Sequence, residues 1–147
     1  MKIGIMGGTF NPIHNAHLLI AEMAREEYGL DRVIFITDGN PPHKSANVTA
    51  KQRFEMTHIA IADNSAFEED DFEINRSEKS YTVNTLGYLK EKMNGRIFPI
   101  SAPVFRISST DIRNRVKNGQ TVRYMLPENV RDYINKYHLY KENENDR

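Results

Sequence analysis

The sequence contains no cysteine and no tryptophan, and no part of it is apolar over a length that could span a membrane. The lack of cysteine excludes disulfide bonds, thiolate metal sites and a cysteine nucleophile. No signal peptide is visible, since Lys2 is followed by only a few apolar residues before Gly7. We therefore expect a cytoplasmic protein that makes no contact with membranes.

The chain also lacks an excess of charge of either sign, with 20 basic and 20 acidic residues among its 147. This balance argues against a nucleic-acid partner. With 39% hydrophobic residues, the chain is long enough to bury a core, and we predict one domain over residues 1–140 followed by a polar tail over 141–147. The sequence leaves open whether that domain forms a homo-oligomer.

The clearest functional pattern in the sequence lies at its beginning. Residues 3–6 are mostly apolar and predict a short buried strand, Gly7 and Gly8 predict a sharp turn, and a helix is expected from near Asn15. Glycines let backbone N–H groups approach an anion, and a helix start adds unpaired N–H donors and a partial positive charge. This stretch therefore indicates a phosphate-binding site.

His14 and His17 stand three residues apart at the predicted helix start, so both can face the same ligand. One alternative is a zinc site, which the lack of cysteine and of a nearby third carboxylate ligand disfavours. The other is a pair of histidines without a special role. We predict no metal site here.

Residues 33–36 form a continuous run of β-branched and aromatic side chains, typical of a parallel strand buried on both faces. Strand, helix and strand at this spacing predict a βαβ unit with ligands at the carboxyl ends of its strands. The segment 38–44 follows at that end and contains two consecutive prolines. It is either a rigid turn or a loop that aims His43 and Lys44 at an anion.

The middle of the chain predicts a helix, a loop and a strand. Thr49 and Gln52 have the spacing of a capping box at the start of a helix that runs to about Ala62. The acidic residues 68–71 predict a solvated loop, and residues 72–75 predict the next strand.

Another helix is expected to begin at residues 80–82, where Tyr81 is either a core aromatic or a ring that stacks on a base. Residues 97–100 and 104–107 are strand candidates. Ser108 to Arg113 then starts a helix with three hydroxyl side chains in a row and an arginine one turn later. A capped helix needs only one hydroxyl, so this start favours anion binding.

Four segments resemble, in order, signature segments of the bacterial nicotinate-mononucleotide adenylyltransferase family. They are residues 7–17 (GGTFNPIHNAH), 41–44 (PPHK), 80–86 (SYTVNTL) and 107–113 (ISSTDIR). The first and last are shared across the HxGH nucleotidyltransferase superfamily, whereas the second and third narrow the match to this family. The resemblance implies an α/β fold of the nucleotidyltransferase type: a Rossmann-like parallel sheet flanked by helices, with further helices at the C-terminus.

The same resemblance implies adenylyl transfer from ATP, with Mg²⁺, to nicotinate mononucleotide in NAD biosynthesis. It implies that phosphate oxygens attack directly, so that no residue needs a shifted pKa. The residues it assigns are His14, His17 and Arg113 for catalysis; Gly7, Gly8, Thr9, Phe10, Ser109 and Thr110 for ATP; and Lys44, Tyr81 and Thr82 for the acceptor.

The sequence departs from the family pattern at two places. Ala16 replaces the glycine between the histidines, and an internal segment that includes a strand and a tryptophan is missing near residues 93–96. Residues 97–107 could pair in the gap, a second chain could supply the strand, or the sequence in hand omits the segment, which we favour. The remaining alternatives are a pantetheine-phosphate adenylyltransferase or cytidylyltransferase of the same superfamily, or a non-catalytic nucleotide-binding remnant.

Overall fold

The computed structural model describes residues 1–39, 48–76, 82–93, 95–96, 98–100 and 105–141, with only the backbone at 82 and 83. Three strands alternate with helices in the first part of the chain, and two helices follow. The elements are β1 (Ile3–Gly8), α1 (Asn15–Tyr28), β2 (Arg32–Thr37), α2 (Ala50–Ile61), β3 (Phe67–Asp70), α3 (Thr82–Met93), α4 (Ser109–Lys117) and α5 (Glu128–Lys136).

The three strands form a parallel sheet in the order β1-β2-β3. The predicted βαβ unit is confirmed. α1 ends because Gly29 adopts the left-handed conformation, with φ of 59°, which a residue without Cβ reaches at little cost. α2 begins at the predicted capping box, where the Gln52 N–H donates to Thr49 Oγ1 at 3.1 Å.

The central strand β2 separates two hydrophobic layers, because alternate side chains of a strand point to opposite faces. Val33 and Phe35 pack in the larger layer with buried residues of α1, α2, α4 and α5. Ile34 and Ile36 pack in the smaller layer against Leu89 of α3. The parallel sheet is thus covered by helices on both faces, as the resemblance implied.

The prediction of a solvated loop at residues 68–71 was wrong, since most of this acidic run lies in β3. Each of its strand carboxylates has a side-chain partner elsewhere in the chain, and for two of the three that partner is a Lys or Arg cation, which lets the run enter the sheet. The pairs are Arg32 with Glu68 at 2.7 Å, His58 with Glu69 at 2.5 Å, and Lys92 with Asp70 at 2.6 Å. The strand predicted at residues 72–75 is instead a turn.

The two late strand candidates were also wrong for the part of them that is described. Residues 98–100 and 105–107 have no strand structure, and 97 and 101–104 lie outside the described residues. Phe98 and Ile100 are exposed, so they lack the neighbouring strand that their β propensity would need. Within the described ranges, the edge of β1 that faces away from β2 has no strand partner. No helix in these ranges is long and apolar enough to cross a bilayer.

Candidate active site

The glycines predicted a sharp turn at residues 7 and 8, but the loop between β1 and α1 begins only after them. Gly7 and Gly8 continue β1 and pair with Ile36 and Thr37 of β2. The turn itself starts at Phe10, whose φ is 44°. A Cβ on Gly8 would lie 2.9 Å from the ring of Phe10, so glycine is needed there for the ring to fold back into the core. We refer to residues 9–14, between β1 and α1, as the opening loop.

His14 and His17 meet at the N-terminus of α1, as their spacing predicted. Their rings stack with centroids 3.7 Å apart, and the backbone N–H of His14 donates to Nδ1 of His17 at 3.2 Å. Phe10 packs edge-on against His17, with ring centroids 5.0 Å apart. His14 is almost fully buried, whereas His17 keeps partial contact with solvent.

Burial lowers the pKa of His14 to about 4. Burial, and then the charge of His14, lower the pKa of His17 to about 3. Both rings are therefore neutral at pH 7, whereas the family resemblance did not call for shifted pKa values. Because Nδ1 of His17 accepts a hydrogen bond, its single proton lies on Nε2, which remains a donor.

The N-terminus of α4 reaches the opening loop, so the structure brings together two segments that lie about 100 residues apart. Ser108 caps α4 by accepting from the Asp111 N–H at 3.1 Å. Ser109 Oγ donates to the Pro12 carbonyl at 2.9 Å, and Arg113 Nη1 donates to the Asn11 carbonyl at 2.8 Å. α4 therefore fixes the backbone of the opening loop.

The second terminal nitrogen of Arg113, Nη2, and the Thr110 hydroxyl lie together on one face of α4. Arg113 Nη2 donates to Thr110 Oγ1 at 3.1 Å, and Thr110 is exposed. A guanidinium beside an exposed hydroxyl at a helix N-terminus offers several donors to an anion.

Three further residues hold this region and were missed in the sequence. Arg53 of α2, which is 1% exposed, donates to the Thr9 carbonyl at 2.6 Å. Thr9 Oγ1 donates to Asp38 Oδ2 at 3.0 Å. The Tyr140 hydroxyl, whose pKa burial raises, donates to Asn11 Oδ1 at 2.7 Å.

One signal for Arg53 was available in the sequence. It stands three and four residues before Met56 and Thr57, so it occupies the buried stripe of α2, where a charged residue is unusual. Burial lowers the pKa of its guanidinium, and the negative charge of Asp38 opposes that change.

Comparison with known proteins identifies the family. The cytidylyltransferase-like family matches residues 5–92. A probable nicotinate-nucleotide adenylyltransferase of Desulfitobacterium hafniense is 39% identical over 200 residues, covering 95% of this chain and 96% of the relative. One of Thermus thermophilus is 34% identical over 186 residues, covering 96% of this chain and 100% of the relative. This chain belongs to the nicotinate-nucleotide adenylyltransferase family.

The fold agrees with this family. A nicotinic acid mononucleotide adenylyltransferase of Plasmodium falciparum, solved with NaAD, superposes with a TM-score of 0.78 at 20% identity, covering 95% of this chain and 97% of that one. A putative nicotinate-nucleotide adenylyltransferase of Vibrio parahaemolyticus gives 0.76 at 20% identity, covering 97% and 98%. At these identities the superpositions establish the fold.

This nicotinate-nucleotide adenylyltransferase family member is shorter than the relatives it matches. The alignment with the Desulfitobacterium hafniense protein spans 200 residues, whereas this chain has 147. The relative therefore carries residues that have no counterpart here.

The residues predicted to hold the acceptor of a nicotinate-nucleotide adenylyltransferase are only partly described. Lys44 and Tyr81 lie outside the described residues. Thr82 is the first residue of α3, and its backbone alone is described. Their roles stay predictions.

Proposed function

We propose that this protein transfers the adenylyl group of ATP to nicotinate mononucleotide, giving nicotinate adenine dinucleotide and pyrophosphate in NAD biosynthesis. The observation that carries the proposal is the opening loop, on which the stacked histidines and the N-terminus of α4 converge. The names of its relatives supply the substrates. A Plasmodium falciparum protein of the same fold was solved with NaAD and also with APC.

The chemistry suits a site without a protein nucleophile. An oxygen of the mononucleotide phosphate attacks the α-phosphorus of ATP, a new P–O bond forms there, and the bond to the bridging oxygen of pyrophosphate breaks. The protein needs to align the two substrates and to stabilise the negative charge on the phosphates.

The donors for that charge lie around the opening loop. We place the triphosphate near the N-terminus of α1, where His17 Nε2–H can donate to it and the partial positive charge of the helix end favours an anion. Thr110 and Arg113 approach from α4. Lys44, Tyr81 and Thr82 are proposed to contact the acceptor.

Mg²⁺ is proposed to enter with ATP. Among the described residues, no group of three or more His, Cys, Asp or Glu side chains could hold a metal ion. Mg²⁺ binds readily through phosphate oxygens and water with few protein ligands. Its contribution would be to neutralise charge on the phosphates.

Release of pyrophosphate from Mg²⁺ and ATP tests the proposal when the purified protein is given one acceptor at a time. Nicotinate mononucleotide should support turnover, whereas nicotinamide mononucleotide should support less and phosphopantetheine none. Turnover only with phosphopantetheine would assign the protein to the pantetheine branch of the superfamily. Binding of ATP without turnover on any acceptor would show a non-catalytic nucleotide-binding protein.

The variant that tests the role of His17 is His17→Ala. Its turnover should fall by about two orders of magnitude or more because a preorganised donor to the phosphates is lost. The melting temperature should stay within a few degrees because His17 is only partly buried. Near-normal turnover of this variant would contradict the assignment of His17.

A further inference from the structure

Gly39 follows β2 at the carboxyl end of the sheet, and its peptide groups are held from opposite sides. Its carbonyl accepts from Arg53 Nη2 at 3.1 Å, and its N–H donates to Glu73 Oε2 at 3.4 Å. A Cβ on Gly39 would lie 2.0 Å from the backbone oxygen of Glu73. Gly39 and the turn after β3 are therefore packed backbone against backbone.

Arg53 joins Gly39 to the opening loop. One end of its guanidinium, Nη1, donates to the Thr9 carbonyl at 2.6 Å, while Nη2 donates to Gly39. A planar guanidinium can bridge two carbonyls in a fixed geometry, which a single lysine ammonium does not reproduce. Since Arg53 is 1% exposed, water does not compete for these bonds.

Glu73 joins Gly39 to α3 in the same way. Its other carboxylate oxygen, Oε1, accepts a hydrogen bond from the Thr85 hydroxyl. Both side chains are buried. Thr85 lies one turn into α3, whose first residue is Thr82, a residue proposed to contact the acceptor. The described contacts thus run without interruption from Thr9 through Arg53, Gly39 and Glu73 to Thr85.

We propose that Arg53 and Glu73 are positioning residues, which set the location of the opening loop relative to the N-terminus of α3. The inference rests on the proposed function, in which the opening loop carries ATP and α3 carries the acceptor. Neither residue is among those proposed to contact a substrate. In-line attack depends on the distance between the two substrates, and a misplacement of about 1 Å can reduce the rate by about a hundredfold.

The test compares four variants with the unsubstituted protein. Glu73→Ala removes both of its bonds, and Arg53→Lys leaves a cation that can reach only one of the two carbonyls. Glu73→Gln is the conservative variant, because its oxygen can accept from Gly39 and its amide nitrogen can donate to Thr85 Oγ1. Tyr133→Phe is the control, since it removes a hydrogen bond from Tyr133 to Glu55 of α2 that is not part of this chain of contacts.

Three measurements, of kcat, of the Kd for ATP and of amide exchange, separate positioning from general loss of stability. Glu73→Ala and Arg53→Lys should lower kcat about tenfold or more, while the Kd for ATP alone stays within about threefold. In Glu73→Ala the amide hydrogens of residues 9–11 and 13 should exchange about tenfold faster, although Glu73 does not contact them. Glu73→Gln should restore kcat and the exchange rates to within about threefold of the unsubstituted protein, and Tyr133→Phe should change neither.

Unchanged exchange of residues 9–11 and 13 in Glu73→Ala would overturn the inference, as would equal loss of kcat in Tyr133→Phe. Failure of the proposed function gives a different result: the unsubstituted protein would then release no pyrophosphate with any acceptor. In that case the exchange measurement alone still decides whether Glu73 and the opening loop are coupled.

Discussion

Lowering the pH from 7 to 5 should destabilise the folded protein through His14 and His17. Burial lowers their pKa to about 4 and about 3 in the folded protein, whereas the value for an unburied histidine is 6.5. Between these values the unfolded chain binds more protons than the folded protein. Stability is therefore fully present above pH 6.5 and decreases as the pH falls towards the folded-state values.

The size of the effect follows from these shifts. Each histidine lowers the free energy of unfolding by about 1.4 kcal/mol per pH unit below 6.5, which amounts to about 2 kcal/mol at pH 5. Two independent rings would give about 4 kcal/mol, and partial exposure of His17 reduces this. Glu69, whose pKa burial raises, acts in the opposite direction. We expect a net loss of about 3 kcal/mol, a large part of a typical stability of about 5–15 kcal/mol.

Denaturant unfolding at pH 7, 6 and 5, extrapolated to water, measures this loss. In His17→Gln the loss should be about half as large, because one of the two proton-binding rings is gone. His138→Asn removes an exposed histidine at the C-terminal end of α5 and should keep the full loss. A change below about 1 kcal/mol between pH 7 and 5, or equal losses with and without His17, would refute the reasoning.

Denaturant unfolding of two further variants, one of them with a matched control, tests the packing at Gly39 and the cap of α4. Gly39→Ala should lower the free energy of unfolding by about 2 kcal/mol or more, because its Cβ would meet the Glu73 carbonyl oxygen at 2.0 Å. No loss would mean that the two loops are not packed as described. Its matched control, Gly87→Ala in α3, has open space around the added Cβ and should stabilise by about 0.5–1 kcal/mol. Ser108→Ala should cost about 1 kcal/mol through loss of the α4 cap, and an unchanged midpoint would contradict that role.

The sequence predicted those parts of the fold that depend on neighbouring residues. The capping box of Thr49 with Gln52 is confirmed, because it needs only a few residues of one segment. The strand β2 was recognised because residues 33–36, which are buried, are all apolar.

The parts that were missed depend on contacts between distant segments. We predicted a loop for the acidic run of β3 because its partners come from three other places in the chain, Arg32, His58 and Lys92. The sequence did not distinguish Arg53 from other helix residues, because its two acceptors, the carbonyls of Thr9 and Gly39, lie 44 and 14 residues away. No local pattern shows where a buried charge finds its partner.

The opening loop is made at the start of the chain and completed at its end. Each strand of the sheet pairs with the next one in sequence, so β1, α1 and β2 can assemble while a chain is still being synthesised. Asn11 and Pro12 receive their hydrogen bonds from residues 97, 102 and 129 positions later, Ser109, Arg113 and Tyr140. The sheet therefore depends on segments that are neighbours in sequence, whereas the opening loop depends on residues that follow it by about 100 positions or more.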